Sequence, residues 1–177
     1  MPVPKKIISF LEKSKVKYEI IKHRTVYTAF DKAKTLRIPE KIVGKSLIFK
    51  MGGKLAIALI GANKNLDLQR IKKLAKTKKL DFVSEKVIKN KFKGMKMGAV
   101  PPFGNLWGIP TFIDRSFIRA KEIILNGGDY NFSIKIKSEE LTKLIPDSIL
   151  GNFSKTRKLC IIKSFKNSTR GRREKCV

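Results

Sequence analysis

Ile42-Val43-Gly44-Lys45-Ser46-Leu47-Ile48-Phe49-Lys50, then Met51-Gly52-Gly53, then Lys54-Leu55-Ala56-Ile57-Ala58-Leu59-Ile60, is the stretch whose reading decides the fold. Two apolar runs joined by a Gly-Gly pair predict a β-hairpin. The second arm is apolar at nearly every position, so it is expected to be buried on both faces, inside a sheet rather than at its edge. In the first arm, alternation places Lys45, Leu47 and Phe49 on one face. A lysine on an apolar strand needs water or an anionic partner. Lys45 therefore stands either at a cleft or on an exposed rim. Gly44-Lys45-Ser46 is not a phosphate-binding P-loop, because the upstream glycine is missing and the segment is a strand.

Upstream of the hairpin, Ile7, Ile8, Phe10 and Leu11 recur at helical spacing within Pro4 to Lys15, which predicts an amphipathic helix. Val16 to Lys22 alternates and reads as a strand ending at His23. Residues 28–37 put Ala29, Ala33 and Leu36 on one stripe, with Thr28 as N-cap and Pro39 beyond the end. Downstream, Asp67 to Lys76 reads as a helix with Leu68, Ile71, Leu74 and Ala75 inward and Arg70, Lys72, Lys73 and Lys76 around the rest. A brief strand at Phe82 and Val83 and a short helix over Ser84 to Asn90 follow. Strands are expected at Thr111 to Ile113, Glu122 to Leu125 and Phe132 to Lys137, the last two joined by Asn126-Gly127-Gly128-Asp129. Ser138 is read as the cap of a final helix whose first turn carries Glu139 and Glu140 and which Pro146 stops. Asp114 and Asp129 read as turn residues.

Between the basic helix and the later strands lies Gly98-Ala99-Val100-Pro101-Pro102-Phe103-Gly104. Each proline ring fixes φ near about −65° and removes an N–H, so the loop is held in one shape. The amides of Gly98, Ala99, Val100, Phe103 and Gly104 are then the free donors, and the two glycines admit a close backbone approach. A rigid loop of unpaired N–H groups suits a carbonyl oxygen or developing oxyanion. The plainer reading is a tight connection between strands, with Phe103 plugged into the core.

The chain has 177 residues, and its 41 basic and 14 acidic residues give a net charge of +27. That length predicts one domain, and that charge favours polyanions, nucleic acid first. Nine of the 41 are arginine, and a lysine excess also follows from base composition, so charge alone does not decide for nucleic acid. The stretch from Arg70 to Lys96, with 11 basic and two acidic residues, is the densest basic segment and runs into the Gly98 loop. Residues 1–165 are read as the domain and residues 166–177 as a basic, disordered tail. Cys160 and Cys176 stand alone and His23 is the single histidine, so no zinc cluster and no cofactor is expected. Isolated thiols, the lack of a signal-peptide pattern and the lack of a membrane-length apolar run predict a cytoplasmic protein with no membrane partner. A lone histidine at a strand end is more often structural than a general base, and no nucleophile elbow accompanies it.

Taken together, the chain resembles the YbaK/prolyl-tRNA-synthetase-associated domain family, whose members remove wrongly attached amino acids from tRNA. The resemblance runs from about Tyr18 to Leu144. His23 with Val26-Tyr27-Thr28 is similar to the family's early histidine-to-threonine segment. Lys45-Ser46-Leu47 sits where the family has its essential lysine, usually followed by Thr-Leu. The Gly98 to Gly104 loop resembles its Gly-x-x-x-Pro substrate loop, and Ile109-Pro110, Thr111 to Asp114 and Asn126-Gly127-Gly128 match its later strand and glycine turn. Some prolyl-tRNA-editing relatives carry a histidine after that turn, where this chain has Asp129-Tyr130-Asn131; that departure bears on which amino acid is removed.

The resemblance implies an α/β (α+β) fold, a single domain with a mixed, strongly curved sheet flanked by helices. It implies hydrolysis of the ester of a mischarged aminoacyl-tRNA, with Lys45 and Gly98 carrying the chemistry. Substrate binding would fall to His23, Tyr27, Thr28, Ala99, Val100, Pro101, Pro102, Phe103, Gly104, Asn126 and Gly127. Arg70, Lys72, Lys73 and Lys76 would hold the tRNA. Water, activated by the substrate's own ribose hydroxyl or replaced by a substrate thiol, is the expected attacker. The resemblance also implies an aminoacyl-tRNA synthetase as a partner. The competing readings are a non-catalytic tRNA- or RNA-binding module and a regulatory partner of a synthetase.

Overall fold

The Gly-Gly hairpin is the centre of the molecule. In the computed structural model, which describes residues 3–157, its arms are β2 (Gly44–Met51) and β3 (Lys54–Gly61), paired in full antiparallel register from Gly44↔Gly61 to Met51↔Lys54. Gly52 and Gly53 have φ of +55° and +85°, the two positive angles that a two-residue hairpin turn matching the strand twist requires. Residues 42 and 43 lie outside the arm: Glu40–Ile42 is a 3₁₀ turn.

Before the hairpin come α1 (Lys5–Lys13), β1 (Tyr18–Lys22) and α2 (Ala29–Leu36). Thr28 caps α2 as its sequence predicts, accepting the Asp31 N–H at 3.0 Å. After it come β4 (Lys64–Leu66), α3 (Leu68–Leu74), β5 (Leu80–Phe82) and α4 (Glu85–Lys91). The remaining elements are a 3₁₀ turn at Gly104–Trp107, β6 (Thr111–Asp114), β7 (Glu122–Asn126), β8 (Phe132–Lys137), α5 (Ser138–Leu144), β9 (Ile149–Gly151) and β10 (Ser154–Thr156). Ser138 is not the N-cap of α5; Lys137 holds that position. The Ser138 hydroxyl instead donates to the Ala120 carbonyl, tying the helix to the loop before β7.

The domain is mixed α/β. A five-stranded sheet runs β5-β2-β3-β6-β9, with β3-β6 and β6-β9 parallel and the other pairs antiparallel. An antiparallel three-stranded sheet, β1-β8-β7, is linked to it by one parallel bridge, Val43↔Ile124. β3 lies inside the larger sheet and is buried from Ala56 to Gly61, as its unbroken apolar run requires.

The two faces of the five-stranded sheet bury different sets of residues. On one face Phe49, Ala56, Ala58, Ile60 and Phe112 pack with Ile71 of α3 and with Phe153. On the other, Leu59 and Ile113 pack with Phe103 and the three-stranded sheet, and Ile57 packs with Val100 and Ile109. Asp114, at the end of β6, accepts the N–H groups of Ser116, Phe153 and Ser154. Burial raises its pKa, but these hydrogen bonds and the one from the Ser116 hydroxyl outweigh it and hold the carboxyl below its ordinary value. Its role is to pin the chain after β9. The segment beyond residue 157, with Cys160, Cys176 and the 166–177 tail, lies outside the described residues.

Candidate functional site

The prolines do hold the Gly98 loop in shape, but most of it is spent on the core. Phe103 is fully buried against Phe10, with ring centroids 5.3 Å apart. Gly104 packs so tightly that a Cβ would lie 2.2 Å from the Ile109 carbonyl oxygen. Its N–H donates to the Pro102 carbonyl and to Thr111 Oγ1, and the Ala99 N–H donates to Lys96 O at 3.0 Å. Ala99 and Gly104 are therefore not free donors, and Phe103 and Gly104 are packing residues rather than ligands for a substrate. Val100, Pro101 and Pro102, in the middle of the loop, are buried as well. At the other end, Gly98 is exposed with φ +74°. Its N–H has no hydrogen-bond acceptor among the described residues.

Gly98 and Ala99 border a crevice of about 10 Å³, the size of one water molecule. Its other walls include Tyr27 and Thr28 before α2, Lys32 on α2, Asn126 at the end of β7 and Asp129 on the β7–β8 turn. Tyr27 is 69% exposed and meets Tyr130 edge-on at 4.8 Å, forming the outer lip. The turn and the loop are stitched together: Gly128 N–H donates to Ala99 O and Lys96 N–H to Gly128 O, each at 2.9 Å. Gly127 is packed rather than open, since a Cβ would lie 2.8 Å from Phe132 O. A roomier hollow of about 690 Å³ under α1 shares Asp129 with the crevice but contains neither Gly98 nor Lys32.

Asn126 organises the crevice. Its amide nitrogen donates to Gly98 O at 3.1 Å and to Val100 O at 3.3 Å. Its amide oxygen accepts from Lys32 Nζ at 2.7 Å. Lys32 is only 5% exposed, and burial pushes its amine down to about 8. Sequence reasoning missed this residue. The signal was present, for Ala29, Lys32, Ala33 and Leu36 stand at i, i+3, i+4 and i+7, so the lysine occupies a position of the apolar stripe.

Lys45 is placed elsewhere. Its partner across the hairpin is Ile60, which packs on the α3 face of the sheet, whereas Val100 packs on the other. Half-buried, Lys45 donates to Lys64 O at 2.8 Å; burial, then the charge of Arg157, lowers its pKa. Its neighbour Ser46 points to the opposite face, and the buried Ser46 hydroxyl has no hydrogen-bond partner among the described residues. His23 is held by Arg24 O at 2.8 Å and Ser133 Oγ at 2.9 Å and does not line the crevice. Burial, opposed by the Arg24 carbonyl and assisted by the Lys32 charge, lowers its pKa. Lys72, Lys73 and Lys76 border an open groove of about 490 Å³ along α3, with Arg70 on the same helix beside Asp67 at 3.6 Å.

The sequence profile of the aminoacyl-tRNA editing domain matches residues 23–144. Among solved structures, one of a hypothetical protein aligns with 85% of this chain and all of its own, at 19% identity and a TM-score of 0.76. A second, described as a candidate trans-editing enzyme for prolyl tRNA synthetase, aligns with 85% of this chain and 96% of its own, at 19% identity and a TM-score of 0.76. A third, from Marinobacter aquaeolei VT8 and described as a candidate signal transduction protein, matches over 86% of this chain but 31% of its own, at 16% identity and a TM-score of 0.66. At these identities the likeness is one of fold.

Proposed function

The chain belongs to the aminoacyl-tRNA editing domain family, and from that premise we propose that it is a trans-acting deacylase, cytoplasmic like the tRNA it would serve. It hydrolyses the ester between a wrongly attached amino acid and the 3′-terminal ribose. The observation that carries this reading is the exposed Gly98 N–H, held beside the crevice by Asn126 and the β7–β8 turn. A donor fixed at that position suits an ester carbonyl whose oxygen gains charge as water adds. The loop spends no free energy reorganising at that moment, because its prolines and Asn126 have already set it.

In this reading water attacks the carbonyl carbon, and the carbonyl electrons move to the oxygen facing Gly98. Collapse of the tetrahedral intermediate then breaks the bond to the ribose oxygen, which takes up the proton released by the water. The vicinal ribose hydroxyl positions that water. Tyr27 and Thr28 contact the amino acid at the crevice mouth. Lys45, with Arg157 close enough to depress its pKa, is a two-cation site suited to the phosphates of the acceptor end. The α3 lysines attract the rest of the tRNA.

The narrowness of the crevice favours a second reading, a tRNA-binding module without chemistry. The two are separated by incubating the protein with a panel of tRNAs, each charged with a non-cognate amino acid, and following loss of the amino acid. The deacylase reading expects at least one to be discharged well above the buffer rate, and much more slowly by Lys45→Ala, a folded variant that has lost a phosphate contact. Binding of the whole panel without discharge would establish the module instead.

A further inference from the structure

Among the described residues one lysine is buried, Lys32, and it lines the crevice. Lys32 stands beside the α2 stripe whose Ala29, Ala33 and Leu36 pack with Val43, Ala62 and Ile124. Among the described residues its one hydrogen-bond partner is Asn126 Oδ1, and no carboxylate lies within ion-pair distance. Asn126 has no freedom to do more, because its amide nitrogen is committed to Gly98 O and Val100 O. An ammonium carries three N–H donors, so two of them have no acceptor among the described residues.

We infer that Lys32 is a catalytic residue of this crevice, its ammonium receiving the oxyanion that develops on the scissile ester opposite the Gly98 N–H. The inference rests on the deacylase reading and deepens it. The crevice has room for one oxygen-sized group, and Lys32 and Gly98 lie on its walls. A neutral ester carbonyl offers a buried cation little, whereas an oxyanion supplies the whole missing counter-charge. The interaction is thus stronger in the transition state than in the ground state, which is the condition for accelerating the step. When water adds to the carbonyl carbon, the carbonyl electron pair moves to the oxygen between Lys32 and Gly98. It returns when the bond to the ribose oxygen breaks, and the proton from water ends on that oxygen. Lys32 keeps its proton throughout.

Burial lowers the Lys32 amine to about 8, so the charged form predominates at neutral pH and is lost in mild alkali. The other titratable groups around it are Asp31 on its own helix, Tyr27 and His23 from the preceding segment, and Asp129 and Tyr130 on the β7–β8 turn. His23 is held below its ordinary value, so its titration is separated from that of Lys32.

The test is single-turnover deacylation of the panel tRNA discharged fastest, from pH 6.5 to 9.5, by the wild type, Lys32→Gln and Lys32→Met, with tRNA affinity and thermal melts alongside. Glutamine still donates to Asn126 but carries no charge, so it separates catalysis from bracing. The expected wild-type rate, relative to buffer hydrolysis, falls as pH rises through about 8. Lys32→Gln is expected to lose about 10²-fold and the bend together, with tRNA affinity unchanged within about twofold. Wild-type turnover by Lys32→Gln overturns the inference, and so does a relative wild-type rate that climbs through that pH. The second result needs no variant to fold. If the wild type discharges no charged tRNA, the deacylase reading falls and takes this inference with it. If the wild type is active and Lys32→Gln is undiminished, only this inference falls.

Discussion

The crevice beside Gly98 and the groove along α3 are both cationic, yet they use charge in opposite ways. At the crevice a single lysine is buried, held by one amide oxygen and lowered in pKa. Along α3, Lys73 and Lys76 are exposed, Lys72 is half-buried, and the groove is wide and open. They also sit on opposite faces of the five-stranded sheet, since Ile71 of α3 packs with Phe49 and Phe112 while Val100 packs with Ile57. Exposed charges attract a polyanion from a distance and weaken with salt. A buried, under-partnered charge attracts little at long range but responds strongly to charge that forms against it. The difference suggests a division of labour, with α3 serving affinity and the crevice serving rate.

The loop offers the first way to sharpen that division. Gly104→Ala is expected to lose about 3 kcal/mol of stability or more, because its Cβ meets Ile109 O and Thr111 Oγ1 at 2.2 Å; a thermal melt reads this directly. Activity per folded molecule should survive. Gly98→Ala is different, for its Cβ would meet only Tyr27 O at 3.8 Å. The cost there is the left-handed backbone, roughly 1–2 kcal/mol. The larger effect should fall on rate, about 10²-fold in single turnover, as the N–H is turned away. A Gly98→Ala variant that melts far lower but is fully active would make both glycines packing residues and dissolve the contrast.

On the other side, reversing Lys72, Lys73 and Lys76 to glutamate is expected to weaken tRNA binding by about 10-fold or more. The slope of log K against log salt should shrink by up to about 3 if each contacts a phosphate. Filter binding across a salt series measures both, and an unchanged slope would move the tRNA off α3. The smallest effect concerns stability and pH. Unfolded, Lys32 keeps its proton up to about 10.4, whereas folded it loses it near about 8. In that interval the unfolded chain binds more protons, so stability rises with pH. Between pH 7 and pH 9 the wild type should gain about 1 kcal/mol relative to Lys32→Met. Parallel curves for the two proteins would show that Lys32 is not a strained cation.

What the sequence announced, and what it withheld, follows the range of the interactions involved. The hairpin was legible because Gly52-Gly53 and the apolar arms are local signals, and Thr28 was legible as a cap for the same reason. The three-residue strands β4, β9 and β10 were not, since three residues carry no readable period. Ser138 looked like a cap because nothing nearby in sequence reveals the Ala120 carbonyl that claims its hydroxyl. The loop was half legible. Its rigidity follows from Pro101 and Pro102, but the fate of Phe103 and Gly104 depends on Phe10, Ile109 and Thr111, contacts that only the assembled core supplies. Lys45 stood out by standing on an apolar strand, while Lys32, at an equally apolar helical position, did not stand out among the many lysines of the chain.

The division of labour is tested most directly by one titration: the single-turnover deacylation rate as a function of protein concentration, for the wild type, Gly98→Ala and the Lys72, Lys73, Lys76 triple reversal. The account predicts that Gly98→Ala lowers the maximal rate by about 10²-fold at an unchanged half-saturating concentration, and that the triple reversal raises the half-saturating concentration at an unchanged maximal rate. Both variants moving the same parameter would contradict it.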